Sequence, residues 1–164
     1  MKNAMMCMAL ALTAATALSA GQVYAAERGQ AQTIIRNGEQ ASSKGSEQFF
    51  TGNVRIDPLY PANNEMRSSG GSVTFEPGAR SNWHIHPVGQ VLIITSGVGR
   101  TQEWGKPVQE VRPGDVVICP VGVKHWHGAA PDSPFQHLAI EVPGQDTGSQ
   151  WLEPVDPDEY NRLK

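Results

Sequence analysis

The sequence predicts an all-β domain, a sandwich or barrel of short antiparallel strands closed by one short C-terminal helix. Three observations carry this. The chain is turn-rich, with 17 Gly and 12 Pro among 164 residues; short β-branched and aromatic runs recur at even spacing between turn signals; and a helix start is written only near the end. A content of 39% hydrophobic and 18% charged residues excludes a disordered chain. Some 24 N-terminal residues differ in character, which leaves roughly 140 for one domain, enough to bury a core without disulfides. The net charge is −3 with Lys and Arg scattered, so neither nucleic acid nor anionic lipid has a basic patch to bind. The expected partner is a small molecule of little or no charge.

Residues 1–25 read as a signal peptide: Lys2, an uncharged run over 4–20, then small residues before a cut after Val23-Tyr24-Ala25. The mature protein is expected outside the cytoplasm, periplasmic or secreted, with no membrane association once the signal is removed. Cys7 leaves with the signal, so Cys119 has no disulfide partner and is expected as a small buried side chain on a strand. Residues 26–46 are polar and rich in Ser and Gly and read as a flexible leader, which starts the folded domain at 47–164.

The strands follow in order. Val54 and Ile56 alternate, residues 72–76 close at Pro77-Gly78, and residues 90–96 close at Gly97-Val98-Gly99. Residues 100–104 end at Gly105-Lys106-Pro107, 108–111 at Pro113-Gly114, and 115–119 at Pro120-Val121-Gly122. A last run, 135–142, follows Pro131-Asp132-Ser133-Pro134. Asp156, Pro157 and Glu159 are an N-cap, an N1 proline and a capping-box acid, giving the helix.

All five histidines fall between positions 84 and 137. Residues two apart in a strand share a face, so His84 and His86 aim together and two imidazoles can meet one ion. Gln90 keeps that parity, and His125 from a later hairpin can close the set. His127 shares the face of His125, ~7 Å along the strand. Trp83 and Trp126 have the opposite parity and are read as outer-face core; Trp104 is also read as packing.

The spacing resembles the two motifs of the cupin superfamily. The first runs Gly78, five residues, His84, one, His86, three, Gln90, six, Gly97; the second runs Gly114, five, Pro120, one, Gly122, two, His125. The resemblance implies a small double-sheet jelly-roll barrel over residues 70 to 142. Gln90 departs from the common pattern, where a glutamate stands. A neutral amide compensates less of a dication's charge, so the ion is a stronger Lewis acid toward a substrate oxygen.

The runs FTGNVRIDPL at 50–59, SVTFEPGAR at 72–80 and KHWHGAAP at 124–131 resemble more narrowly the bacterial manganese-dependent cupin hydroxynitrile lyases of the (R)-mandelonitrile lyase type. That resemblance implies one divalent ion per chain, Mn(II) foremost with Fe(II) or Zn(II) as alternatives, bound by His84, His86, Gln90 and His125. It implies His127 and His137 in the pocket, Val73 and Ser81 near the substrate, and reversible cleavage of an (R)-cyanohydrin to aldehyde and cyanide. His137 is expected to take the hydroxyl proton, with Glu141 orienting it or raising its pKa, and His127 to serve the leaving cyanide. Glu141 stands where such lyases carry a glutamine, so substrate preference does not transfer directly. The cupin resemblance leaves open a dioxygenase, a carboxymuconolactone decarboxylase-like enzyme and a non-enzymatic ligand-binding module. It also implies a homo-oligomer, a dimer or tetramer, with residues 48–57 at the subunit contact.

Overall fold

The computed structural model describes residues 31–63, 66–141 and 148–163, so the expected signal peptide lies outside the described residues. The chain divides into residues 1–33 and 34–164, and every element below belongs to the second unit. No helix among the described residues is long and apolar enough to cross a membrane.

In chain order the elements are β1 (Ser43–Lys44), β2 (Phe50–Thr51), β3 (Val54–Tyr60), β4 (Ser69–Phe75), β5 (Arg80–Ser81), β6 (His84–Ile85), β7 (Gln90–Gly97), β8 (Gly99–Glu103), β9 (Gln109–Val111), β10 (Val116–Cys119), β11 (His125–Ala129), β12 (Phe135–Glu141), β13 (Gln150–Trp151) and α1 (Pro157–Tyr160). Two antiparallel sheets result. The first has the order β1-β3-β4-β12-β7-β10; the second runs β13-β6-β11-β5-β2, with β8 pairing β11 and β9.

Alternation along the strands builds the core between the sheets. Val73 and Phe75 of β4, Leu92 and Ile94 of β7, and Phe135 and Ala139 of β12 join Val54, Val111 and Ala129 in one cluster. Phe75 and Phe135 are fully buried, each worth about 1.5–3 kcal/mol of transfer free energy. The ladder between β7 and β12 carries a bulge, pairing Gln136 with Ser96 but His137 with Ile94. The extra residue, Thr95, sets the register from there to Glu141.

A second cluster covers the outer face of the second sheet: Trp83 and Trp126 with Val108, Val155 and Tyr160. Both faces of β11 are therefore buried, with His125 and His127 inward and Trp126 outward. Trp126 Nε1 donates to Gln102 Oε1 at 2.7 Å, and the Tyr160 hydroxyl donates to the Ala129 carbonyl at 2.7 Å, tying α1 to β11. Trp104 packs on Trp83 but is half exposed; it carries the Lys124 ammonium 3.4 Å from its ring centroid.

Two expectations change in detail. Ser43 and Lys44 pair with Ile56 and Arg55, so ordered structure begins before residue 47. Backbone pairing needs no particular side chain, and a Ser-rich segment can supply it. At α1, Asp156 caps as predicted, its Oδ1 accepting from the N–H of Asp158 at 2.8 Å and of Glu159 at 3.3 Å. The Glu159 carboxylate, however, accepts from Gln102 Nε2 at 3.2 Å and so serves the sheet.

Candidate active site

Short elements of the second sheet bring the histidines together. His84 on β6 and Arg80 on β5 lie beside β11, with His84 opposite His125 and Arg80 opposite Gly128. A Cβ at Gly128 would stand 2.5 Å from Arg80 Cα, so glycine is what lets β5 and β11 approach. The ring centroids of His84 and His125 are 4.3 Å apart, those of His84 and His86 5.0 Å, and those of His86 and His125 5.4 Å.

Each of these imidazoles is held by its Nδ1. His84 Nδ1 is 2.9 Å from the Asn82 carbonyl and His125 Nδ1 2.9 Å from the Val123 carbonyl, while His86 Nδ1 is 3.1 Å from Ser149 Oγ. An anchored Nδ1 fixes the ring and presents Nε2 inward. His86 Nε2, His125 Nε2 and Gln90 Oε1 are buried and have no hydrogen-bond partner. Three acceptor-capable atoms left unmatched in one buried region are costly in a protein alone, and they fit a cation.

Among the described residues, His84, His125 and His127 form a group whose ligand atoms all lie within 4.8 Å of one another. This buried trio could bind a metal ion. It shares His84 and His125 with the four ligands that the resemblance implies, and has His127 where that set has His86 and Gln90. His127 is also engaged elsewhere: its Nδ1 is 3.2 Å from His137 Nε2. Burial holds all five imidazoles below their ordinary pKa and hence neutral near pH 7. His125 and His137 fall to about 4, and His84 and His127 lie well below the ordinary imidazole value. At His86 burial is opposed in part by the adjacent Gln90 side chain. Neutral imidazoles are the form that ligates metal and accepts protons.

A cavity of about 310 Å³ opens beside the cluster. Its walls are largely apolar, with Phe50, Ile56, Val73, Ala139 and Trp151, and its polar groups include His127, His137, Glu141 and Ser149. Val73, expected near the substrate, lies there opposite His137 in the β4–β12 ladder. Ser81 does not line the cavity. It is wholly buried, and its hydroxyl accepts from the His127 N–H at 3.1 Å and lies 3.5 Å from His84 Nδ1, so it positions the histidines from behind. Glu141 lines the cavity but does not orient His137. Its Oε1 accepts from Gln90 Nε2 at 2.5 Å, because the register sets Glu141 opposite Gln90.

Sequence reasoning did not find Phe50, Trp151 or Ser149. Trp151 packs against the His84 ring at 4.9 Å and stacks on Phe49 at 4.7 Å. Its only signal was a lone aromatic beside a polar tail, and its partners are about 70 to 100 positions away.

Two facing antiparallel sheets with a buried histidine cluster between them define a cupin. Residues 71–141 match the family model described as Cupin domain, and the chain belongs to that family. It is 51% identical over 129 residues to a protein of Granulicella tundricola named (R)-mandelonitrile lyase, covering 79% of this chain and 98% of the relative. Among solved structures, a cupin-like protein of Thermotoga maritima superposes with a TM-score of 0.71 at 43% identity, covering 81% of this chain and 98% of that one. A cupin-2 domain protein of Rhodospirillum rubrum shares the fold at TM-score 0.61 and 20% identity, over 79% and 84% of the two chains.

Proposed function

We propose that this protein is a metal-dependent lyase that cleaves (R)-cyanohydrins such as mandelonitrile to aldehyde and cyanide, reversibly. The observation that carries the reading is the pair His127 and His137 set in a largely apolar cavity beside the imidazole cluster. The 51% identical relative named (R)-mandelonitrile lyase supports the reaction class.

In this reading His84, His86, His125 and the Gln90 oxygen would hold the ion, Mn(II) foremost, and His127 lines the cavity beside them. A divalent ion supplies a Lewis acid for the cyanohydrin oxygen, and three imidazoles with a neutral amide leave its charge little compensated. Phe50, Ile56, Val73 and Trp151 receive the aryl group and exclude water. His127 and His137, both neutral and bonded to each other, act as one base: the pair takes the hydroxyl proton as the C–C electrons leave with cyanide, then returns that proton to cyanide. Ser81 fixes His127, and Phe75 packs under both rings, its centroid 5.8 Å from His127 and 5.6 Å from His137.

The neutral Gln90 ligand weighs against oxygen activation, which a His and carboxylate triad serves better. Export and homo-oligomeric assembly belong to the same proposal; a monomer in sedimentation would overturn the second. The test is benzaldehyde release from racemic mandelonitrile by the Mn(II)-loaded protein, with a chelated sample as control. Metal-dependent release consuming the (R) form is expected. No release from protein holding one ion per chain would overturn the reading.

A further inference from the structure

We infer that Glu141 is a positioning residue that decides which end of the Gln90 side chain faces the histidine cluster, and so makes Gln90 an oxygen ligand. The inference rests on the metal reading above and deepens it. A glutamine amide has two ends of nearly equal shape, an oxygen that can ligate a cation and an NH₂ that cannot. Rotation about its last torsion exchanges them.

In the absence of a cation the cluster itself favours the wrong end. His86 Nε2 and His125 Nε2 are buried acceptor-capable nitrogens without partners, and an NH₂ turned toward them would satisfy one. Gln90, itself 95% buried, does the opposite: its Nε2 donates to Glu141 Oε1 at 2.5 Å, and its Oε1 is left buried and unpartnered. An ionised carboxylate only accepts. Facing Glu141, the amide must offer its nitrogen, because the flipped amide would set oxygen against oxygen at hydrogen-bond distance.

The backbone sets the two side chains side by side. Glu141 stands directly opposite Gln90 in the β7–β12 ladder, and its carboxylate lies 3.8 Å from His86 Nδ1 with the side chain 37% exposed. A glutamine at 141 could accept through its own oxygen or donate through its own nitrogen, so it would hold Gln90 less uniquely. A leucine would not hold it at all.

The test is a Mn(II) titration of metal-free protein, following free Mn(II) by electron paramagnetic resonance, with the ¹⁵N resonance of the Gln90 side chain read in the metal-free state. The parent is expected to bind one Mn(II). Glu141→Leu is expected to weaken binding about 10- to 100-fold and to shift the Gln90 side-chain resonance. Glu141→Gln should stay within about fivefold of the parent, since an acceptor remains. In the Glu141→Leu background, Gln90→Glu should restore binding, because both ends of a carboxylate are oxygen. Parent-like binding by Glu141→Leu would overturn the inference. So would equal weakening in Glu141→Gln and Glu141→Leu, which would leave charge alone as the role. A parent that binds no Mn(II) would overturn the metal reading and this inference with it.

Discussion

His127 and His137 come from opposite sheets and share one hydrogen bond, His127 Nδ1 lying 3.2 Å from His137 Nε2. Ten positions separate them, and the chain between them passes from β11 over to β12. Both rings are buried, His137 completely. A bond between two neutral imidazoles needs one N–H and one lone pair, so the pair holds one proton between its inner nitrogens and can relay it.

His137→Ala and His127→Ala are each expected to keep the metal and lose about 10²- to 10⁴-fold in turnover, the range of a general acid–base contribution. Losses should not add in the double variant, since either single change ends the relay. Metal content by elemental analysis, read with benzaldehyde release, checks this. Full turnover in His137→Ala would remove it from the mechanism.

His125→Ala is expected to abolish Mn(II) binding and all turnover, because it removes an anchored imidazole of the cluster. Binding to the native state alone stabilises by about 2.7 kcal/mol at a hundredfold excess over Kd. Mn(II) at that excess should therefore raise the melting temperature of the parent by several degrees and leave His125→Ala unmoved. Calorimetry with and without the ion distinguishes the two. A shift retained in the variant would place the ion elsewhere.

What the sequence could tell about this site follows from what kind of contact each residue makes. His84, His86 and His125 were legible as neighbours because turn glycines and a period of two fix local direction; Gln90, at the start of β7, belongs to the other sheet. Trp83 and Trp126 were legible as outer-face core for the same reason. Parity also turned Glu141 inward, but not toward its partner. That depends on strand register, and the bulge at Thr95 shifts the register between Gln136 and His137. Ser149 on His86 and Trp151 against His84 are contacts of about 60 to 70 positions in sequence, made by a two-residue strand and the residue before it, with no periodicity to read. Ser43 and Lys44 escaped notice because edge pairing uses only the backbone.

Cys119 is expected to resist thiol reagents in the folded protein and to react fully on unfolding. Its side chain is buried near the end of β10, and burial pushes the thiol up to about 12. The thiolate is the reacting form, and at pH 8 it is scarce under those conditions. Titration with a disulfide reagent, with and without denaturant, measures this. Rapid reaction of one thiol in the native state would show that β10 opens locally.

Gly97→Ala is expected to destabilise the fold by about 2–4 kcal/mol, more than a surface change. Gly97 has φ of 74°, a conformation L side chains rarely adopt. A Cβ there would also fall 1.8 Å from the Pro134 carbonyl oxygen. That oxygen cannot retreat freely, since it accepts the Val98 N–H at 3.2 Å, and its neighbour Phe135 pairs with Gly97 itself. Relief requires moving the start of β12, the strand that carries His137 and Glu141. The loss of stability should therefore come with weaker Mn(II) binding, unlike the loss from a core truncation remote from β12. Urea midpoints at constant slope, read beside the Mn(II) titration, test both. An unchanged midpoint would mean that the turn between β7 and β8 adapts without disturbing β12.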